Sequence, residues 1–179
     1  MRIIFFGIQG SGKSTQAKML AQMLAVPYIE MGQLFRDKTN DNDTDAGFIR
    51  QALETGNLVP DRIAVETLHQ RLTKSDCENG YVLDGYPRNF AQLEGLTDQI
   101  DRVFYVKVKD EEAIKRLIRR SREDDNLNVI QRRMELYHRE SEPLLTYFKQ
   151  QGKLVEINGE QSIAQVHLDI IDKIKNGKK

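Results

Sequence analysis

The sequence has no tryptophan, one cysteine, Cys77, and four prolines in 179 residues. A single cysteine closes no intrachain disulfide and offers no cluster for a structural zinc, so a packed core must hold the chain and a reducing compartment suits it. Net charge is also missing, since 27 basic side chains offset 27 acidic ones. A chain without a net field has no long-range hold on nucleic acid or on an anionic membrane, so neither is expected as a partner and any anion site must be local. Long apolar runs are lacking too: the run at residues 3–6 is far too short for a secretory signal core or a spanning helix, and the expected location is cytoplasmic. The length suits a single domain able to bury roughly 70% of its unfolded surface, and 39% hydrophobic residues are enough for its core.

What is present is a regular alternation. Short apolar, β-branched or aromatic runs at residues 2–6, 27–30, 81–84, 103–108 and 154–157 are separated by segments of helical period. Strand and helix in turn predict a five-stranded parallel sheet in a three-layer α/β/α sandwich, with the ligand crevice at the C-terminal ends of the strands. Two apolar stripes, Ala17, Leu20, Ala21 and Leu24, then Ile163, Val166, Ile170, Ile171 and Ile174, are expected to pack on that sheet. Residues 31–59 break the alternation and read as a small helical insertion. The polar stretch 121–126 reads as a surface loop between two helical segments.

Directly after the first strand, Gly7-Ile-Gln-Gly-Ser-Gly-Lys13-Ser14-Thr15 satisfies G-x-x-x-x-G-K-[ST] and opens into an amphipathic helix. Glycines let backbone N–H groups converge on phosphate oxygens, the helix N-terminus adds partial positive charge, and Lys13 can reach the outer phosphates. Ser14 or Thr15 can offer a hydroxyl to phosphate or magnesium. Further on, Asp84-Gly-Tyr-Pro-Arg88 ends a strand with a carboxylate and follows it with a guanidinium suited to a bidentate grip on phosphate. Arg116, Arg119, Arg120, Arg122, Arg132 and Arg133 then accumulate around the second irregular segment, a local concentration that suggests a polyanionic ligand.

In order and spacing, residues 7–16, the run 56–61 (Gly-Asn-Leu-Val-Pro-Asp), Asp84 to Arg88 with Gln92, Arg120, Arg122 with Asp124 and Asp125, and Arg133 resemble the adenylate kinases within the nucleoside monophosphate kinases. The resemblance implies a P-loop core (1–29, 60–119 and 127–179), a monophosphate-binding insertion at 30–59 and a lid reduced to 120–126. It implies magnesium-dependent conversion of ATP and AMP to two ADP by a monomer. ATP would be held by Gly10, Ser11, Gly12, Lys13, Ser14, Thr15, Arg116 and Arg120. AMP would be held by Met31, Arg36, Gly56, Leu58, Val59, Gly85, Arg88 and Gln92. Lys13, Arg88, Arg120, Arg122 and Arg133 would carry catalysis, with Asp84 orienting Mg2+ through water and Ser14 or Thr15 as a further metal contact.

Where the family usually has a Ser/Thr-Thr-Gly-Asp run before Arg36, this chain has Glu30-Met31-Gly32-Gln33, which puts a thioether in the position of the base-contacting threonine. Asn89 is shared with pyrimidine-preferring relatives and Gln92 argues for adenine, so a UMP/CMP kinase stays open beside AMP. A nucleotide-binding regulator with negligible turnover stays open as well. His69, His138 and His167 lack metal-ligand spacing and read as helix-surface or capping residues; Cys77, among acids, reads as inert, and Met19, Met23 and Met134 as core filler.

Overall fold

The computed structural model describes residues 1–40, 44–97, 99–120 and 126–176. Five strands, β1 (Arg2–Phe6), β2 (Tyr28–Glu30), β3 (Tyr81–Asp84), β4 (Arg102–Lys107) and β5 (Leu154–Asn158), form one all-parallel sheet in the order β2-β3-β1-β4-β5. The helices are α1 (Lys13–Leu24), α2 (Met31–Lys38), α3 (Thr44–Thr55), α4 (Asp61–Leu72), α5 (Phe90–Glu94), α6 (Asp110–Arg120), α7 (Leu127–Leu136), α8 (Pro143–Gln150) and α9 (Ile163–Asn176).

Both faces of the sheet are covered, which is why its strands read as near-continuous apolar runs. Alternate residues of β1 point to opposite faces. Ile3 and Phe5 join Ala17, Leu20 and Ala21 of α1 and Val166, Ile170 and Ile174 of α9. Ile4 and Phe6 join Ala64 and Leu68 of α4, Leu117 of α6, Met134 of α7 and Phe148 of α8. The expected stripes therefore do pack on the sheet, apart from two members: Ile171 is only partly buried and joins neither cluster on the sheet faces, and the other is more exposed. Ile163, in the first turn of α9, overhangs the strand ends and is 60% exposed. Met23 is likewise an exposed residue rather than core filler, because it lies on the outer side of α1.

Helices α2 and α3 stand outside the alternation, with a small apolar cluster of their own made by Ile49, Ala52, Val59 and Ile63 with Phe35 and Leu53 against it. α6 ends at Arg120 and α7 begins at Leu127, so residues 121–125 of the expected lid lie outside the described residues.

Register decides what gathers at the C-terminal edge. Phe5 of β1 is level with Asp84 of β3, and Glu30 of β2 is level with the same Asp84. The central strand runs out into the glycine-rich loop, so two carboxylates line up beside it. Behind them, α7 continues into a π-helical turn, Tyr137–Ser141, where the Glu142 N–H donates to the Tyr137 carbonyl at 2.8 Å. Such one-residue widenings recur at functional sites because they re-aim the side chains they carry.

Candidate active site

The glycine-rich loop is shaped by steric need. Gly10 has φ +86°, and a Cβ there would lie 2.5 Å from the Ala113 carbonyl oxygen of α6, so the backbone conformation and the close approach both require glycine. The Ser11 N–H donates to the Ile8 carbonyl at 3.1 Å and closes the loop. Gly12, at φ +90°, starts α1, whose first turn holds no acidic residue. The partial positive charge of that N-terminus is left for a ligand. Lys13 is only 7% exposed, with its Nζ 3.5 Å from the Ile8 carbonyl. Burial, reinforced by Arg88 and Arg120 and opposed by Asp84 and Glu30, lowers its pKa to about 8. A lysine so desolvated and surrounded by cations gains by meeting phosphate.

Two cavities meet at this loop, and both are lined by Gln9, Lys13, Ser14 and Arg120. The first is walled by Arg36, Arg88 and Arg133 with Asp84, Gly85, Gln92, Gly56, Leu58 and Val59. The second is walled by Gly10, Ser11, Gly12, Thr15, Arg116, Gly159, Gln161, Ser162 and Ile163.

In the first cavity the guanidinium groups come from separate elements. Arg88 is half-buried, its Nε donating to the Gly85 carbonyl at 3.0 Å, and burial lowers its pKa. Arg133 of α7 donates from Nη2 to the Leu53 carbonyl at 3.3 Å, and Arg36 of α2 donates to Glu30 at 3.1 Å. Arg120 closes α6 at the junction of the cavities. Gln92 is 2% exposed; its Oε1 accepts from the Arg88 N–H and its Nε2 donates to Asp61 Oδ1, each at 2.9 Å. Asn89 caps α5 through Oδ1, accepting from the Gln92 N–H at 2.9 Å, and its Nδ2 donates to the same Asp61 oxygen. Gln92 lines the cavity and Asn89 does not.

In the second cavity Arg116 spans the entrance, with Nη1 donating to the Ser11 carbonyl at 3.3 Å and to the Gly159 carbonyl at 3.0 Å, while Glu112 holds Nε at 2.7 Å. Thr15 faces only this cavity, whereas Ser14 faces both.

Asp84 is 2% exposed. Its Oδ2 accepts from the Tyr28 hydroxyl at 3.1 Å, and its Oδ1 has no hydrogen-bond partner. A buried carboxylate oxygen left unsatisfied in a cavity wall shared with Lys13 and Ser14 fits a hydrated Mg2+, a hard cation that takes oxygen donors and keeps its waters. Among the described residues no group of three or more His, Cys, Asp or Glu could hold a metal by itself.

One expected residue stands elsewhere, and one lies outside the described residues. Met31 is 1% exposed and packs in the core against the sheet instead of lining the cavity, because the first turn of α2 points it inward; Glu30, Gly32, Phe35 and Arg36 form that wall. Arg122 lies outside the described residues. The structure adds Asp61, which holds Gln92, and Tyr137 and Ser141 of the π turn, where Ser141 Oγ donates to the Arg88 carbonyl at 2.8 Å. It also adds the loop Gly159 to Ile163 between β5 and α9. A first-turn carboxylate at residue 61 and polar residues after the last strand were the available signals; the π turn has none.

Comparison with known proteins matches residues 5–153 to the family model described as adenylate kinase. The chain belongs to the adenylate kinase family. It is 40% identical to an adenylate kinase of Cyanothece sp. across 99% of this chain and 98% of the relative. It is 36% identical to adenylate kinase 1 of Nostoc sp., across 92% and 94%, and 32% identical to the adenylate kinase of Caldicellulosiruptor bescii, across 96% and 97%. The family's five-stranded parallel core and phosphate loop are thus both present. No helix among the described residues is long and apolar enough to cross a membrane.

Proposed function

We propose that the protein is a cytoplasmic, monomeric ATP:AMP phosphotransferase that makes two ADP reversibly with Mg2+. One observation carries the reading: two cavities meet at a shared wall of Lys13, Ser14 and Arg120, with three further guanidinium groups, Arg36, Arg88 and Arg133, on the acceptor side and Arg116 on the donor side. Family membership and relatives named adenylate kinase support it.

The donor triphosphate lies along the loop 10–15 with its base between Arg116 and the Gly159–Ile163 loop. Residues 30–59 act as the acceptor-binding insertion and 120–126 as the lid. The acceptor phosphate faces Arg36 and Arg88, with Gly56, Leu58, Val59 and Gly85 along the nucleoside and Gln92 on the base. An acceptor phosphate oxygen attacks the terminal phosphorus of ATP; the new O–P bond forms as the bond to the β-phosphate oxygen breaks, and ADP leaves. The acceptor is already ionised near neutral pH, so no general base is needed, and none is present at the junction in the form of a histidine. Charge spreads over the transferring group, and Lys13, Arg88, Arg120, Arg122 and Arg133 neutralise it. Asp84 through water, with Ser14 or Thr15, would hold Mg2+, which supplies charge neutralisation on the phosphates.

For the base, adenine is favoured. Asn89 spends its carbonyl on a helix cap and its amide on Asp61, outside the cavity wall, while Gln92 is fixed in it. Incubation with ATP, Mg2+ and AMP, CMP, UMP or GMP in turn, with diphosphate identified as product, tests the reading. Fastest turnover with AMP is expected. CMP or UMP ahead of AMP would overturn the base assignment, and nucleotide binding without any diphosphate would favour a regulator.

A further inference from the structure

The acceptor wall contains an anionic side chain that the transfer reaction does not use. Glu30 closes β2, faces the cavity and is one-quarter exposed. Its Oε1 accepts from Arg36 Nη2 at 3.1 Å, and its Oε2 lies 3.3 Å from the Tyr28 hydroxyl, which also reaches Asp84 Oδ2 at 3.1 Å. The same Arg36 is held from its other side by Gln33 Oε1, at 3.2 Å from Nε and 3.0 Å from Nη2. The arginine nearest the insertion is therefore already serving a carboxylate of its own chain.

We infer that Glu30 competes with the acceptor's phosphate for Arg36 and so sets acceptor affinity by charge. This rests on the phosphotransfer reading, in which a phosphate monoester enters between Arg36 and Arg88. An incoming dianion has two options. It can displace Glu30, which strips a partly buried carboxylate of its cation, or it can share Arg36, which sets like charges side by side. Either way acceptor binding is weakened while the donor cavity, which Glu30 does not line, is untouched. The penalty applies equally to ground and transition states, so it falls on KM for the acceptor rather than on kcat. The tether through Tyr28 to Asp84 limits how far Glu30 can retreat along the strand end.

A purely structural Glu30, one that merely props Arg36 in place, predicts the opposite sign, because removing the prop would raise KM. Initial rates of ADP formation at saturating ATP, with AMP varied, separate the two. Glu30→Gln keeps size and hydrogen bonding and removes charge; Glu30→Ser removes the carboxylate and shortens the side chain out of reach of Arg36, and guards against an accident of packing. Each is expected to lower KM for AMP about three- to tenfold, with kcat moving less and KM for ATP unmoved. Arg36→Gln is expected to raise KM for AMP by a larger factor in the Glu30→Gln background than in the unmodified protein, since only there is the arginine free for phosphate. An unchanged or raised KM for AMP in both Glu30 variants, with melting temperatures retained, would overturn the inference and leave the phosphotransfer reading standing. No diphosphate from any monophosphate, in the unmodified protein and the variants alike, would overturn both.

Discussion

Asp61 offers a test in which stability and acceptor binding can be worked from one atom. Its Oδ1 accepts from Gln92 Nε2 and from Asn89 Nδ2, both at 2.9 Å. Replacement by alanine removes the partner of the Gln92 amide, which is 2% exposed, at a cost of about 1–3 kcal/mol. The half-exposed Asn89 amide can be rehydrated and adds little. Asp61 is also the first residue of α4, where loss of negative charge costs about 0.3–1 kcal/mol. The sum, about 1–4 kcal/mol, should lower the melting temperature of a domain this size by roughly 3–16 °C. Asp61→Asn keeps an oxygen in the same place and loses only the charge, so about 0.5–1 kcal/mol and roughly 1–3 °C are expected. In activity, Asp61→Ala frees Gln92 to rotate and should raise KM for AMP about tenfold, with KM for ATP unmoved because Asp61 lines neither cavity. Calorimetry and steady-state rates on the same preparations decide it. Equal damage from alanine and asparagine, or an acceptor KM that ignores both, would refute the claim that this bond holds Gln92.

Three further outcomes are expected. Lys13→Met should lose about 3 kcal/mol or more of transition-state stabilisation, roughly 150-fold in kcat/KM. In the ligand-free protein the lysine's descent from 10.5 to about 8 makes the unfolded chain the better proton binder in that window. Stability should therefore rise with pH from 8 to 10.5, and this slope should vanish in the methionine variant on urea titration. Arg88→Ala should lose a comparable amount of transition-state stabilisation, about 3 kcal/mol, and a rise confined to the ATP KM would remove it from the acceptor side. The ring nitrogens of His138 face two carboxylates, Nδ1 at 2.8 Å from Glu142 and Nε2 at 3.0 Å from Asp110, each N–H donating when the ring is protonated, and those carboxylates raise its pKa above 6.5. Its contribution is complete below 6.5 and is lost as pH rises through the higher folded value, so His138→Gln should lower the melting temperature near pH 6 and leave it unchanged near pH 9.

The core was legible because burial on two faces forces unbroken apolar runs, and β1, β3 and the stripe on α1 sit where those runs lie. The phosphate loop was legible because its shape admits so few residues at Gly10 and Gly12. What stayed hidden depends on which way a side chain turns at a corner. Position along the chain put Met31 beside a nucleobase, but the first turn of α2 aims it into the core. Helical period put Ile163 on the sheet, but the sheet ends before the first turn of α9 does. A π turn inserts a residue into the 3.6-residue repeat, so the convergence of Tyr137 and Ser141 on Arg88 has no trace in periodicity. Glu30 and Arg36 are six residues apart, and their pairing needs the bend between β2 and α2 that only the fold supplies.

The end of α3 is fastened to α7 at several points: Arg132 Nε donates to Asn57 Oδ1 at 2.8 Å, Arg133 Nη2 to the Leu53 carbonyl at 3.3 Å, and Gly56 comes so near Val129 that an added Cβ would sit 2.9 Å from its carbonyl oxygen. These links bypass the hydrophobic interior altogether. Tilting α3 outward would pull directly on the helix bearing Arg133, so the opening of the first cavity and the orientation of one of its cations are geared together like two ends of a seesaw.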